Sequence, residues 1–229
     1  MIDDPPILEV RRTIVRPTQS ILDGFVEAPT GNVADALGGS GALTHTIKPV
    51  DEAASAFCGV AIPCRVSPAD NLAVFAALDI AEPGDVILVA TDGYLEAAVT
   101  GDLMIGMARN KGVQALVTDG SVRDVHGIRQ VGLPCFAAGV SPNSPARNGP
   151  GSAGLPIVIG GVAVAAGDIV VGDADGVVVV PADRAEAASH ALSAIKSAEA
   201  DLDAKVQAGL TQLDPVRAIL DGPGVISRD

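Results

Sequence analysis

The middle of this 229-residue chain alternates short apolar runs with segments of helical pattern. The runs VILVA (86–90), VQALVTDG (113–120) and LPCFAAGV (133–140) predict buried strands, whereas GDLMIGMARNKG (101–112) predicts a helix that ends at a glycine. Aromatic residues make up only 2% of the chain, so the core must be built from Val, Ile, Leu and Ala. This alternation predicts an α/β fold with a mixed or layered sheet.

Both ends of the chain are predicted to belong to the same domain as the middle. Residues 1–17 predict an extended or partly helical arm, because three prolines interrupt them. Residues 141–154 are rich in Pro, Gly and Ser, but the three short strands predicted in 155–181 cannot form a core of their own. A long helix over 182–209 and an irregular tail would complete one domain, 1–229, in which 182–229 are the C-terminal helix and tail.

Two segments remain open at this level. FCGVAIPCRV (57–66) fits either one long strand or a strand pair interrupted by Pro63, and LEAAV (95–99) fits a strand or a helix.

The charge and cysteine content restrict the possible partners and compartment. The net charge of -13 disfavours a nucleic-acid surface, since phosphate binding requires a basic stripe. No run approaches the roughly 18 apolar residues of a membrane helix, and the first residues lack a signal pattern. Cys58, Cys64 and Cys135 lie in apolar runs, so we expect buried thiols in a cytoplasmic protein.

Residues 101–124 hold the strongest chemical signal of the chain. A helix that starts near Gly101 and Asp102 presents unpaired amides to an anion, although Asp at this position can simply cap the helix. Arg123 and Asp124 follow a buried strand, where ligands bind in α/β folds. Arg123 can clamp a carboxylate, and Asp124 offers oxygen ligands to Mg²⁺. The simpler interpretation is that the two residues form a surface ion pair.

Asp102 and the pair Arg123–Asp124 are separated by twenty residues, and this spacing resembles the divalent-metal-dependent 4-hydroxy-4-methyl-2-oxoglutarate aldolase family. That family is related to the regulator of ribonuclease activity A. Several further blocks look similar: NVADALG (32–38), PADNLAVFAALDIAEPGDVILV (68–89), GLPCFAAGVSPNSP (132–145) and GDIVVGDADGVVVVP (167–181). The resemblance implies a single-domain layered α-β-β-α sandwich of the RraA-like type.

The resemblance also implies a metal centre that holds Mg²⁺, Mn²⁺ or another divalent cation. Asp124 would be the direct protein ligand, and Asp102 would hold a metal-bound water. Glu199, on the C-terminal helix, would hold another such water in the site of a neighbouring subunit, within a homotrimer or homohexamer. Read from its Ala-rich context alone, Glu199 could equally be a solvated helix residue.

The substrate site implied by the resemblance lies around the same helix start. Arg123 would bind the oxo or enolate oxygen, and the amides of Leu103 and Met104, next to Gly101, would receive the substrate carboxylate. Asn71 begins a helix inside a matching block, and it either lines the pocket or caps that helix.

The implied reaction is the cleavage of a 4-hydroxy-2-oxo acid to pyruvate and a second oxo acid. Candidate substrates are 4-hydroxy-4-methyl-2-oxoglutarate and 4-carboxy-4-hydroxy-2-oxoadipate of aromatic catabolism, with oxaloacetate decarboxylation as a side activity. None of the four lysines looks like a buried Schiff-base nucleophile, and the three histidines do not form a ligand set. The alternatives are a non-catalytic regulator that binds a ribonuclease or another protein, or an enzyme acting on a different oxo acid or sugar acid.

Overall fold

The alternation of strands and helices is present in the computed structural model, which describes residues 6–228. The strands of these residues are β1 (Leu8–Val10), β2 (Lys48–Pro49), β3 (Phe57–Val66), β4 (Asp85–Ala90), β5 (Ala98–Thr100), β6 (Ala115–Thr118), β7 (Ser121–Val122), β8 (Cys135–Ala137), β9 (Gly139–Val140), β10 (Gly151–Ala153), β11 (Ile157–Ile159), β12 (Val162–Val164), β13 (Ile169–Asp173) and β14 (Gly176–Val180). The helices are α1 (Gln19–Asp23), α2 (Thr30–Ala36), α3 (Leu72–Ile80), α4 (Asp102–Asn110), α5 (Val125–Val131), α6 (Ala185–Gln207) and α7 (Asp214–Leu220). Short 3-10 helices cover Glu52–Ala54 and Ala182–Arg184.

The main sheet is centred on four parallel strands in the order β3-β4-β6-β8. Strands β10 and β13 pair with β3 in the antiparallel sense, and β1 and β2 lie at the two edges. Ile87 and Val89 of β4 face one side of the sheet, and Val86 and Leu88 face the other. Both faces are apolar, as expected for a parallel sheet that is covered on both sides.

Four layers follow from this two-sided core. Helices α3, α4 and α5 cover one face through side chains such as Val74, Ile105 and Ile128. The other face packs on β11 to β14, and the outer surface of β13 and β14 packs on α2 and the start of α6, through Val33 and Leu192. The order is α-β-β-α, so the predicted layered α/β sandwich is confirmed.

A second, small parallel sheet, β5-β7-β9, is formed where the chain leaves the main sheet. After β6 the chain turns at Asp119 and Gly120 and continues as β7, and after β8 it passes Ala138 and continues as β9. Ala138 donates its N–H to the carbonyl of Gly120 at 3.1 Å, and this hydrogen bond keeps the two connections side by side. The apolar run 133–140 is therefore two strands in two sheets rather than one.

Some predicted elements differ from the observed ones. Residues 155–181 form four strands instead of three, the loop 141–154 contains β10, and the tail contains α7. Strands β10, β11 and β12 have only three residues each, which is too short for a recognisable alternation. The arm includes β1, which pairs with β10; the part of the predicted arm in residues 1–5 lies outside the described residues. The open segments are one long strand, β3, and the short strand β5.

The chain divides into two compact units at Leu192 and Ser193, within α6. The second unit contains the remainder of α6 and all of α7. The residues of α7 are exposed. Among residues 6–228, no helix is long and apolar enough to cross a membrane.

The three cysteines are free thiols, as predicted. Cys64 and Cys135 are buried, and Cys58 is partly buried. Burial raises the pKa of the Cys58 thiol to about 11 and that of Cys135 to about 12. All three therefore remain protonated near neutral pH and are poor nucleophiles.

Candidate functional site

The carboxyl ends of the small parallel sheet bring the predicted residues together. β5 leads into Gly101 and Asp102, β7 into Arg123 and Asp124, and β9 into the loop that carries Ser144. Arg123 donates its backbone N–H to Thr100 at 3.1 Å, so the first two turns lie side by side. This is the edge of a parallel sheet at which ligands bind in α/β proteins.

Arg123 and Asp124 form an ion pair that leaves part of their hydrogen-bonding capacity unused. Nε of Arg123 lies 3.2 Å from Oδ2 of Asp124, and the two side chains are 37% and 45% exposed. Asp124 has left-handed backbone dihedrals, φ 58° and ψ 41°, and lies at the N-cap of α5 without accepting a capping hydrogen bond. A left-handed non-glycine residue is strained, and such strain is concentrated at functional sites. The carboxylate of Asp124 therefore keeps acceptor capacity for a ligand.

Two glycines let the two acidic residues approach each other's turns. A Cβ atom at Gly101 would lie 2.6 Å from Oδ2 of Asp124, although the backbone of Gly101 is extended and needs no glycine. A Cβ atom at Gly127, in α5, would lie 2.4 Å from Oδ2 of Asp102. Each carboxylate thus packs against the turn that carries the other one.

Asp102 does not cap α4 in the way that its position suggested. Gly101 is the N-cap and Asp102 is the first helical residue. Oδ1 of Asp102 accepts the N–H of Leu103 at 2.7 Å, so one of the amides expected to receive a substrate carboxylate already has an acceptor. The Leu103 side chain is 76% exposed, whereas that of Met104 is buried. A substrate carboxylate at this helix start would have to share or replace the contact with Asp102.

Ser144 is a site residue that the sequence did not reveal. Its hydroxyl accepts a hydrogen bond from Nη1 of Arg123, across a sequence separation of 21 residues. The carboxylate of Asp70 holds the loop beyond it by accepting the N–H groups of Asn148 at 2.6 Å and Gly149 at 3.1 Å. Because β9 is parallel to β7, the polar residues after the run 133–140 could have been assigned to the same edge.

Asn71 lies between the loop and β5. It occupies the N-cap position of α3 but its side chain does not cap the helix. Nδ2 donates to the carbonyl of Val99 at 3.1 Å, while Oδ1 is buried and has no hydrogen-bond partner within the described part of the chain. Buried acceptors are almost always satisfied, so this oxygen is a candidate for contact with a water or a substrate hydroxyl.

The remaining predicted groups lie elsewhere or make other contacts. Glu199 is exposed in α6 and belongs to the second compact unit, so its predicted role across a subunit boundary stays a prediction. Lys48 and Lys111 donate their ammonium groups to backbone carbonyls of Asp175 and Asp79. His126, in the first turn of α5, lies 3.1 Å from the amide of Gln130.

The donor atoms of the site match a hard divalent cation held mainly by water. No group of three or more His, Cys, Asp or Glu side chains lies together among residues 6–228. Mg²⁺ prefers oxygen ligands and usually binds to one or two carboxylates while it keeps several waters. Asp124, whose carboxylate can accept further contacts, and the neighbouring Asp102 fit that mode of binding.

Comparison with known proteins agrees with this architecture. Residues 30–179 match the family described as RraA-like, Aldolase/RraA. A protein of Halalkalibacterium halodurans named "Putative 4-hydroxy-4-methyl-2-oxoglutarate aldolase" is 37% identical over 197 residues, which are 86% of this chain and 92% of that protein. The chain belongs to the RraA-like family.

Two solved structures are similar in fold. An uncharacterized protein from Pseudomonas syringae pv. tomato has a TM-score of 0.75 at 26% identity, covering 86% of this chain and 96% of its own. The RNA-processing inhibitor RraA of Thermus thermophilis has a TM-score of 0.62 at 30% identity, covering 68% of this chain and 93% of its own. The family therefore contains proteins named for two different activities.

Proposed function

We propose that this protein is a divalent-metal-dependent lyase that cleaves a 4-hydroxy-2-oxo acid to pyruvate and a second oxo acid. The observation that carries the proposal is the partly exposed Arg123–Asp124 pair, which packs against the turn of Asp102 at the end of three parallel strands. The aldolase name of the 37% identical relative supports the same reaction class.

Arg123 acts on the oxo group of the substrate. Its guanidinium is fixed by Asp124 at Nε and by Ser144 at Nη1, which leaves the rest of its planar set of N–H donors for a ligand. These donors stabilise the negative charge that develops on the oxo oxygen as the carbon–carbon bond breaks.

Asp124 and Asp102 supply the oxygen atoms of a metal centre. Asp124 would bind the cation directly, and Asp102 would hold a water in its coordination shell. When bound, a divalent cation stabilises negative charge on the substrate oxygens as a Lewis acid. The proton of the distal hydroxyl would pass to a water held by Asp102 or Arg123, which acts as the general base.

The quaternary structure belongs to the same proposal. We expect a trimer or hexamer in which Glu199 reaches the site of a neighbouring subunit, while the chain forms one functional domain. Light scattering would measure the oligomer, and Glu199→Gln would lower the apparent affinity for Mg²⁺ in an oligomer of this kind. A monomeric active enzyme would contradict the role of Glu199.

The test is a pyruvate-release assay with 4-hydroxy-4-methyl-2-oxoglutarate, 4-carboxy-4-hydroxy-2-oxoadipate and oxaloacetate. We expect turnover that EDTA abolishes and that Mg²⁺ or Mn²⁺ restores. Borohydride trapping of pyruvate onto the protein would contradict a metal mechanism. Absence of metal-dependent turnover of any 2-oxo acid would instead favour the second candidate, a regulator that binds a protein partner, which the similarity to the Thermus inhibitor supports.

A further inference from the structure

The loop that follows β9 carries a second arginine, Arg147, three residues beyond Ser144. Its guanidinium carbon lies 5.3 Å from the centroid of the Phe75 ring, and Phe75 lies one helical turn beyond Asn71 on α3. Arg147 is exposed and forms no ion pair with an acidic side chain of the described residues. An arginine without a carboxylate partner among the described residues therefore lies on the same loop as Ser144, which contacts Arg123.

Backbone contacts fix the position of Arg147. Ala146 donates its N–H to the carbonyl of Ala69 at 2.7 Å, and Asn71 donates its N–H to the carbonyl of Ala146 at 3.0 Å. The side chain of Asn71 in turn contacts Val99 of β5, the strand that leads into Gly101. Arg147 is thus tied to the start of α3, which is itself tied to the strand that carries Asp102.

The stacking arrangement leaves the hydrogen-bonding edge of Arg147 available. An exposed cation–π contact is worth only about 0.5–1 kcal/mol, and it uses the face of the guanidinium rather than its N–H groups. Those N–H groups form a planar fork that matches a carboxylate. The ring of Phe75 also restricts the rotamers of the side chain, which lowers the entropy lost on binding.

The spacing suits a ligand that carries an anionic group at each end. Ser144 contacts Arg123, and residues three apart span at most about 11 Å of extended chain. Arg147 therefore lies, along the loop, within a length that a ligand of five or six carbons can span from the residue that contacts Arg123.

We propose that Arg147 is a specificity-determining residue that binds the distal carboxylate of a dicarboxylic 4-hydroxy-2-oxo acid. The inference rests on the proposed function, and it assigns the recognition of the far end of the substrate to the loop 141–150. Arg123 and the metal centre bind the oxo end in this arrangement, and Arg147, oriented by Phe75, binds the carboxylate that a monocarboxylic analogue lacks.

The experiment compares KM for 4-hydroxy-4-methyl-2-oxoglutarate with KM for 4-hydroxy-2-oxopentanoate, which lacks the second carboxylate. Loss of a charge-assisted contact in Arg147→Gln should raise KM for the dicarboxylate about 10- to 100-fold, with KM for the monocarboxylate and kcat for both nearly unchanged. Arg12→Gln removes the same charge from an exposed pair with Asp79 and should change neither value. Equal effects of Arg147→Gln on both substrates, or no effect on either, would overturn the inference.

A binding measurement separates this inference from the proposed function. Calorimetry with Mg²⁺ present would compare 2-oxoglutarate with 2-oxobutyrate as ligands, without any turnover. The wild-type protein should prefer 2-oxoglutarate, and Arg147→Gln should lose that preference. If no 2-oxo acid is turned over but this pattern holds, the lyase proposal fails and the carboxylate site stands; if the wild type shows no preference, the carboxylate site fails.

Discussion

Two arginine–aspartate pairs of the protein use the same chemical groups in opposite ways. Asp85, at the start of β4, is 1% exposed in its side chain and accepts Nη2 of Arg16 at 2.8 Å and Nε at 3.1 Å. Its Oδ2 also accepts the N–H of Glu82 at 2.7 Å. The hydrogen bond to Asp85 raises the pKa of Arg16 above its usual value. This carboxylate is fully committed to the fold.

The pair at the candidate site leaves much of its capacity unused. Arg123 and Asp124 share one contact of 3.2 Å, both are more than a third exposed, and Asp124 has a strained backbone. A satisfied pair at the amino end of a strand holds the fold together, while an unsatisfied pair at the carboxyl ends is available to a ligand. The comparison predicts that substitutions at the first pair affect stability and that substitutions at the second affect activity.

Asp85→Ala should have the largest effect, and it should be on stability. It removes the acceptor of Nε and Nη2 of Arg16 and of the N–H of Glu82. Breaking a buried pair costs about 3–5 kcal/mol. Because water reaches Arg16, which is 24% exposed, we expect the lower end of that range. Denaturant unfolding measures the loss, and the folded fraction should keep its specific activity. A variant as stable as the wild type would show that the first pair is not structural.

Arg123→Gln should reduce kcat by about 10²–10³-fold, the range found when one donor to a developing oxyanion is removed. Its free energy of unfolding should change by less than about 0.5 kcal/mol, as is usual for a surface substitution. Steady-state kinetics and a melting curve of the same preparation give both values, with Arg12→Gln as the charge control. Near-normal kcat in Arg123→Gln would remove Arg123 from the proposed mechanism.

Gly101→Ala tests whether the position of Asp124 matters as well as its charge. The new Cβ would lie 2.6 Å from Oδ2 of Asp124, so the carboxylate must move. Changing a residue that orients a metal ligand typically costs about 10- to 100-fold in metal affinity or activity. Mg²⁺ titration of the activity measures the effect.

Gly106→Ala is the matched control for that substitution. It lies in the same helix, α4, and a Cβ atom there meets nothing within 4 Å. It should leave the Mg²⁺ dependence unchanged and stabilise the protein by about 0.5–1 kcal/mol. Equal Mg²⁺ affinities in the two variants would contradict the proposed place of Asp124.

The difference between the two pairs could be predicted from the sequence only in part. Arg123 and Asp124 follow an apolar run, and that position indicated the carboxyl end of a strand. Arg16 and Asp85 are separated by 69 residues, and no local pattern connects them. The contact of Ser144 with Arg123 could not be predicted for the same reason, since it depends on β9 lying beside β7. Local patterns predict elements and their ends, but contacts between distant turns require the sheet order.

Asp119→Asn should have the smallest effect. Asp119 is intermediate between the two pairs, because its carboxylate is partly buried but forms no ion pair with a cation among residues 6–228. It accepts the N–H of Thr91 at 2.7 Å and its hydroxyl at 3.0 Å, and burial raises the pKa of its carboxyl above the usual 3.8. The folded state therefore binds the carboxyl proton of Asp119 more tightly than the unfolded state does. Stability consequently falls as the pH rises from 3.8 through the folded pKa. Asp119→Asn keeps an acceptor for Thr91 and removes the titration. Denaturant midpoints should show the variant gaining stability over the wild type at pH 7, by an amount that shrinks as the pH is lowered; a variant that is less stable at neutral pH would mean that the ionised carboxylate stabilises this turn.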